Sequence, residues 1–132
     1  MGLDYNAPVL VVDDYKTMVK IVRHLLTQIG FTNIDDASNG AEALQKLQAR
    51  AYGLVISDWN MEPMTGYELL QRTRSDTANP SVPFIMVTAE SRPENIAAAQ
   101  AAGVDGYLIK PFNQHTLKAS INQVSSSAAV AA

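Results

Sequence analysis

Four short apolar runs, each closing on a residue able to do chemistry, constrain this chain more than any other feature. They are Val9-Leu10-Val11-Val12 before Asp13-Asp14, Leu54-Val55-Ile56-Ser57 before Asp58, Phe84-Ile85-Met86-Val87 before Thr88, and Tyr107-Leu108-Ile109 before Lys110. Strands buried on both faces read as such near-continuous apolar runs, and they belong to parallel sheets. Open parallel sheets bind ligands beyond the carboxyl ends of their strands. If the four runs pair side by side, Asp13, Asp14, Asp58, Thr88 and Lys110 converge on one small pocket.

Helical signals fill the intervals. Met18, Ile21, Val22, Leu25, Leu26 and Ile29 recur on one helical face, with Gly30 where a C-terminal cap belongs. Ile34 to Ala37 is a weaker strand. Asn39-Gly40-Ala41-Glu42, Thr65-Gly66-Tyr67-Glu68 and Ser91-Arg92-Pro93-Glu94 each have the form of a capping box opening a helix. These helices are expected to bury Leu44 and Leu47, then Leu69 and Leu70 with Tyr67 beside them, and then an alanine-rich face ending at Gly103. Asn113 caps a last helix with Leu117, Ile121 and Val124 on one face, and residues 125–132 read as a frayed tail. Strands alternating with helices argue for an α/β fold with a single doubly wound, five-stranded parallel sheet. The flavodoxin-like order 2-1-3-4-5 is preferred because it makes the first and third strands central neighbours. A single domain over 1–132, with its core at about 8–124, is expected.

Composition removes several classes. With no cysteine there are no disulfides and no thiolate sites or nucleophiles. A net charge of −3 without a basic cluster disfavours nucleic acid as a partner. No apolar stretch approaches the ~20 residues of a membrane span. A monomeric, cytoplasmic protein with no membrane partner is expected. There is no phosphate-cradling Gly-x-x-x-x-Gly-Lys-Ser/Thr loop, no Gly-x-Gly-x-x-Gly and no Gly-x-Ser-x-Gly elbow. Two acids after the first strand also have the wrong sign for a flavin phosphate.

Taken alone, Asp13-Asp14 before a helix is a cap plus a first-turn charge, and Asp58 an ordinary strand end. The combination reads differently. At an effective dielectric of about 20, like charges ~4 Å apart repel by roughly 4 kcal/mol. Such crowding needs positive charge in the gap; Lys110 supplies one unit and a hard cation two. An all-oxygen donor set with few protein ligands suits Mg2+. His24 and His115 have no partner spacing and read as exposed helix residues. With a cation present, Asp58 becomes a nucleophile able to form an aspartyl phosphate, with Lys110 holding the transferred group. Thr88 is either a hydrogen-bond donor to that group or a residue of good strand propensity. Lys110-Pro111 is a position where a cis peptide would aim the ammonium inward.

Across about residues 8 to 124, the set Asp13-Asp14, Asp58, Thr88-Ala89 and Lys110-Pro111-Phe112 resembles the receiver domain of bacterial two-component response regulators. Asp13-Asp14-Tyr15, Ser57-Asp58-Trp59-Asn60-Met61 and Val87-Thr88-Ala89-Glu90 resemble the chemotaxis members in particular. The resemblance implies a phosphorylatable switch and not a turnover enzyme. Asp58 would take phosphate from a histidine kinase, with Mg2+ held by Asp13, Asp58 and the carbonyl of Asn60, and Asp14 assisting through water. Thr88 and Tyr107 would be the switch pair, although Tyr107 also reads as a half-buried strand aromatic. Asn60 and Glu90 would tune phosphate lifetime. The output face, with Ser91, Tyr107 and Ser120, would bind the flagellar motor switch. Two departures stand out: Glu62 and then Pro63 where the family places proline directly, and serines at 91 and 120 where motor-binding members carry alanine and lysine. A phosphate sink sharing the same kinase is the rival within signalling. An aspartate-nucleophile phosphatase of the haloacid dehalogenase type is disfavoured by Asn60, where that family needs a second acid.

Overall fold

The computed structural model describes residues 5–89 and 92–131, with side chains described to Val124 in the last helix. Strands β1 (Val9–Val12), β2 (Ile34–Ala37), β3 (Leu54–Asp58), β4 (Phe84–Thr88) and β5 (Gly106–Ile109) alternate with helices α1 (Lys16–Ile29), α2 (Gly40–Ala49), α3 (Gly66–Ser75), α4 (Pro93–Ala101) and α5 (Gln114–Ala131). All neighbouring strands pair in parallel, in the order β2-β1-β3-β4-β5. That is the expected order, and it puts the tips of β1 and β3 side by side.

The apolar runs supply both faces of the sheet, because successive strand side chains point in opposite directions. Val9, Val11, Ile56, Ile85 and Val87 pack with Val22, Leu26, Leu117 and Ile121 from α1 and α5. Leu10, Val12, Val55, Phe84 and Met86 pack on the other side with Leu47, Leu69 and Leu70 from α2 and α3. Truncating such fully buried side chains to alanine costs about 2–5 kcal/mol each. Strand β2 read weakly because it is an edge strand with half-buried acids at its centre. Both acids are matched: Asp36 by Arg23 at 3.1 Å, and Asp35 by Arg50 at 2.9 Å and the Tyr52 hydroxyl at 2.6 Å.

Some local expectations need revision. Ile21 is 45 % exposed, and Val19 takes its place against the core. The buried stripe centres on Val22, and its chain neighbour Ile21 lies about 100° around the helix. Helix α4 starts from Arg92, with Pro93 in its first turn and no cap bond from the Arg92 side chain; Ser91, the expected cap, lies outside the described residues. The other two caps hold. Thr65 and Glu68 exchange both bonds of a capping box, whereas at α2 Asn39 accepts from the Glu42 N–H and Glu42 reaches back to the Ser38 N–H. Gly30, at φ 132°, closes α1 in a conformation costly for any residue with a Cβ. Helix α5 is capped by Asn113 and continues to Ala131, through the segment expected to fray. His24 and His115 are exposed.

Candidate functional site at the carboxyl edge of the sheet

The sheet delivers the acids as the sequence pattern implies. Asp13 and Asp14 follow β1, Asp58 ends β3, and β1 and β3 are paired neighbours. One carboxylate oxygen from each of Asp13, Asp14 and Asp58 lies within 4.8 Å of the others. Asp13 and Asp58 are buried, at 5 % and 6 % exposure, while Asp14 is exposed. Lys110 arrives from the end of β5, its backbone fixed by a bond from its N–H to the Thr88 carbonyl at 2.8 Å. The Lys110-Pro111 peptide is cis, as is Glu62-Pro63. The Lys110 ammonium donates to Asp58 Oδ1 at 2.9 Å and stands 4.0 Å from Asp13 Oδ2.

This charge arithmetic leaves a deficit. One ammonium faces three carboxylates. Burial pushes the Asp13 carboxyl up to about 6 from its ordinary 3.8, and the Asp58 charge pushes the same way. A hydrogen bond from the Tyr15 N–H to Asp13 Oδ1 at 2.9 Å, together with Lys110, pulls it back only in part. The oxygen-only donors and the uncompensated negative charge fit a hard divalent cation, with room for solvent ligands on the open side. That side is a cleft lined by Asp14, Asn60, Met61, Glu62 and Thr65. Asn60 thus reaches the same space as the acids, and Glu62 adds a further carboxylate to its rim.

Thr88 ends β4 fully buried, opposite Ile109 and one residue from the level of Lys110. Tyr107 is half-buried, opposite Met86 in register. Ser120 is half-buried on α5 over Gly106, its hydroxyl 3.0 Å from where a Cβ at that glycine would lie. Glu90 and Ser91 lie outside the described residues, so their expected roles have no structural counterpart here.

Sequence reasoning gave no role to two aromatic side chains at the site's edge. Trp59 stacks on Tyr67 with ring centroids 5.6 Å apart and an interplanar angle of 17°. It meets Tyr107 edge-on at 6.3 Å and 69°. Such pairs contribute about 0.5–1.5 kcal/mol beyond their buried area. The cluster joins residues far apart in sequence, and only the Trp59-to-Tyr67 spacing was visible beforehand.

A doubly wound sheet in this order, with acids at the tips of its first and third strands and a lysine after its fifth, is the arrangement expected of a receiver domain. The chain belongs to the response regulator receiver domain family, which matches residues 9–122. Among its relatives, the chemotaxis protein CheY-3 of Vibrio cholerae is 41 % identical over 122 residues, covering 92 % of this chain and 94 % of the relative. The chemotaxis protein CheY of Pseudomonas aeruginosa is 41 % identical over 116 residues, covering 88 % and 94 %. The crystal structure of Vibrio cholerae CheY4 superposes with a TM-score of 0.84 at 37 % identity, over 90 % of this chain and 98 % of that one. A receiver domain from Clostridium thermocellum gives 0.84 at 25 % identity, over 96 % and 99 %. The protein is therefore a CheY-like receiver, a signalling protein and not a classical enzyme.

Proposed function

We propose that this receiver accepts a phosphoryl group on Asp58 from the phosphohistidine of a histidine kinase and passes the signal on by direct binding. The observation that carries the reading is the Lys110 ammonium 2.9 Å from Asp58 within a group of three carboxylates. A carboxylate oxygen of Asp58 attacks phosphorus, the phosphorus–nitrogen bond of the donor breaks, and the imidazole leaves. Lys110 meets the negative charge of the arriving oxygens, and the Thr88 hydroxyl donates to one of them. Mg2+, held by Asp13, Asp58 and the Asn60 carbonyl with Asp14 behind a water, would supply the charge that lets these oxygens crowd together.

Output follows from Thr88 and Tyr107. As Thr88 turns to the phosphoryl group, the Tyr107 ring moves inward and changes the face made by α4, β5 and α5. A coupling of roughly 1–3 kcal/mol is enough to alter partner affinity substantially. Asn60 and Glu90 set how fast water removes the phosphate. The two relatives are chemotaxis proteins, which supports a chemotaxis role for this receiver; on this reading it acts on the flagellar motor switch, as a monomer in the cytoplasm. No helix among the described residues is long and apolar enough to cross a membrane.

The test of phosphoryl uptake is intact mass after mixing with acetyl phosphate and Mg2+. A gain of one phosphoryl group is expected, absent with a chelator and absent in Asp58→Asn; a gain that persists in Asp58→Asn removes the assignment. Serine at 120, half-buried over β5, favours a second reading in which the protein drains a shared kinase without touching the motor. Rapid phosphotransfer without phosphate-dependent binding to a motor-switch peptide would select that reading.

A further inference from the structure

Trp59 follows Asp58 at the tip of β3, and its backbone is held from two directions. Its N–H donates to the Val87 carbonyl at 3.1 Å, and its carbonyl accepts from the Gly66 N–H at 2.8 Å. A Cβ at Gly66 would lie 2.1 Å from the Asp58 carbonyl oxygen, so the first turn of α3 rests directly on the backbone of the acid. Tyr67, the next residue, therefore has a fixed origin. Its ring lies nearly parallel to the Trp59 indole, at 17°, and the indole in turn meets Tyr107 edge-on. Three rings from α3, the β3 tip and β5 form one continuous row.

We propose that Tyr67 is a positioning residue for Tyr107: by stacking on Trp59 it fixes the indole against which the Tyr107 ring rests. The inference builds on the reading of Tyr107 as the moving ring. Unsupported, the half-buried indole has solvent-side rotamers open to it, and each would change the space beside Tyr107. A leucine at 67 keeps helix propensity and apolar bulk but offers no face to stack on, whereas a phenylalanine keeps the face and loses only the hydroxyl. The first turn of α3 is thereby linked to the output strand through the indole.

The experiment uses the full chain labelled with 3-fluorotyrosine, the Tyr107 fluorine signal being identified by its loss in Tyr107→Phe. In the metal-free protein, Tyr67→Leu is expected to shift and broaden that signal, while Tyr67→Phe leaves it in place. Trp59→Leu, which removes the middle ring, must also displace it. A Tyr107 signal unchanged in Tyr67→Leu, or displaced equally by Tyr67→Phe, overturns the proposal. Addition of Mg2+ with beryllium fluoride, a phosphoryl mimic, judges the switch separately. If the parent Tyr107 signal stays still under the mimic, the switch reading fails, while the metal-free comparison still decides whether Tyr67 positions the ring.

Discussion

The two ends of the sheet handle charge in opposite ways. At the amino end of β4 and β5, Arg74 donates to the carbonyls of Pro80, Val82 and Gly103 and pairs with Asp105 at 2.8 Å. Asp105 Oδ2 also accepts from the Phe84 N–H at 2.9 Å, so the cation and the anion are each matched by partners within the protein. At the carboxyl end, one lysine faces three carboxylates, and the carboxyl of Asp13 is pushed up to about 6. A matched charge network ties α3 to the starts of β4 and β5; a mismatched one keeps a place for charge that arrives from outside. The contrast marks which end holds the fold together and which works.

Substitutions at the two ends should therefore separate. Arg74→Ala should show the largest effect on stability, a loss of about 2–3 kcal/mol, because it removes a partly exposed ion pair and takes the donor from three carbonyls at once. Urea unfolding would measure it, and phosphoryl uptake by the folded fraction should be unchanged. Lys110→Gln should cost the metal-free protein about 2 kcal/mol, since it removes the cation from a cluster already short of one. Mg2+ should recover much of that loss, which no metal can do for Arg74→Ala. Asp13→Asn should act in the opposite direction, stabilising the metal-free protein by about 1 kcal/mol and abolishing its further stabilisation by Mg2+.

The smallest effect is the pH dependence. The Asp13 carboxyl lies at about 6 in the folded protein against 3.8 ordinarily, so the folded state holds the proton more tightly. Its stabilising contribution is complete below the lower value and is lost as pH rises through about 6. Metal-free protein should thus unfold less readily at mildly acidic pH than at neutral pH as far as this residue is concerned. The difference between parent and Asp13→Asn melting curves across that range isolates it. A gap that fails to change with pH would mean the carboxyl is not perturbed.

The mismatched end was more legible in the sequence than the matched one. Asp13, Asp14, Asp58 and Lys110 each terminate an apolar run, and parallel pairing leaves strand tips nowhere to go but together. Arg74 gave no such signal. It sits near the end of an amphipathic helix, where an arginine reads as solvated, and its acceptors lie up to 31 residues away. The row formed by Tyr67, Trp59 and Tyr107 was hidden for the same reason, as it depends on how α3 seats against β3. Ile21 shows the limit of periodicity: the spacing puts it near the apolar face, but the width of the covering layer decides whether it is buried.

The central claim, that the carboxyl end is built to receive phosphorus on one particular acid, is tested most directly by locating the modification. Protein treated with acetyl phosphate and Mg2+ would be reduced with borohydride, which converts an aspartyl phosphate to homoserine, and its peptides sequenced by mass spectrometry. Homoserine at position 58 is the expected result. Homoserine at 13 or 14, or a stable phosphate on a serine, threonine or histidine with Asp58 intact, would contradict it.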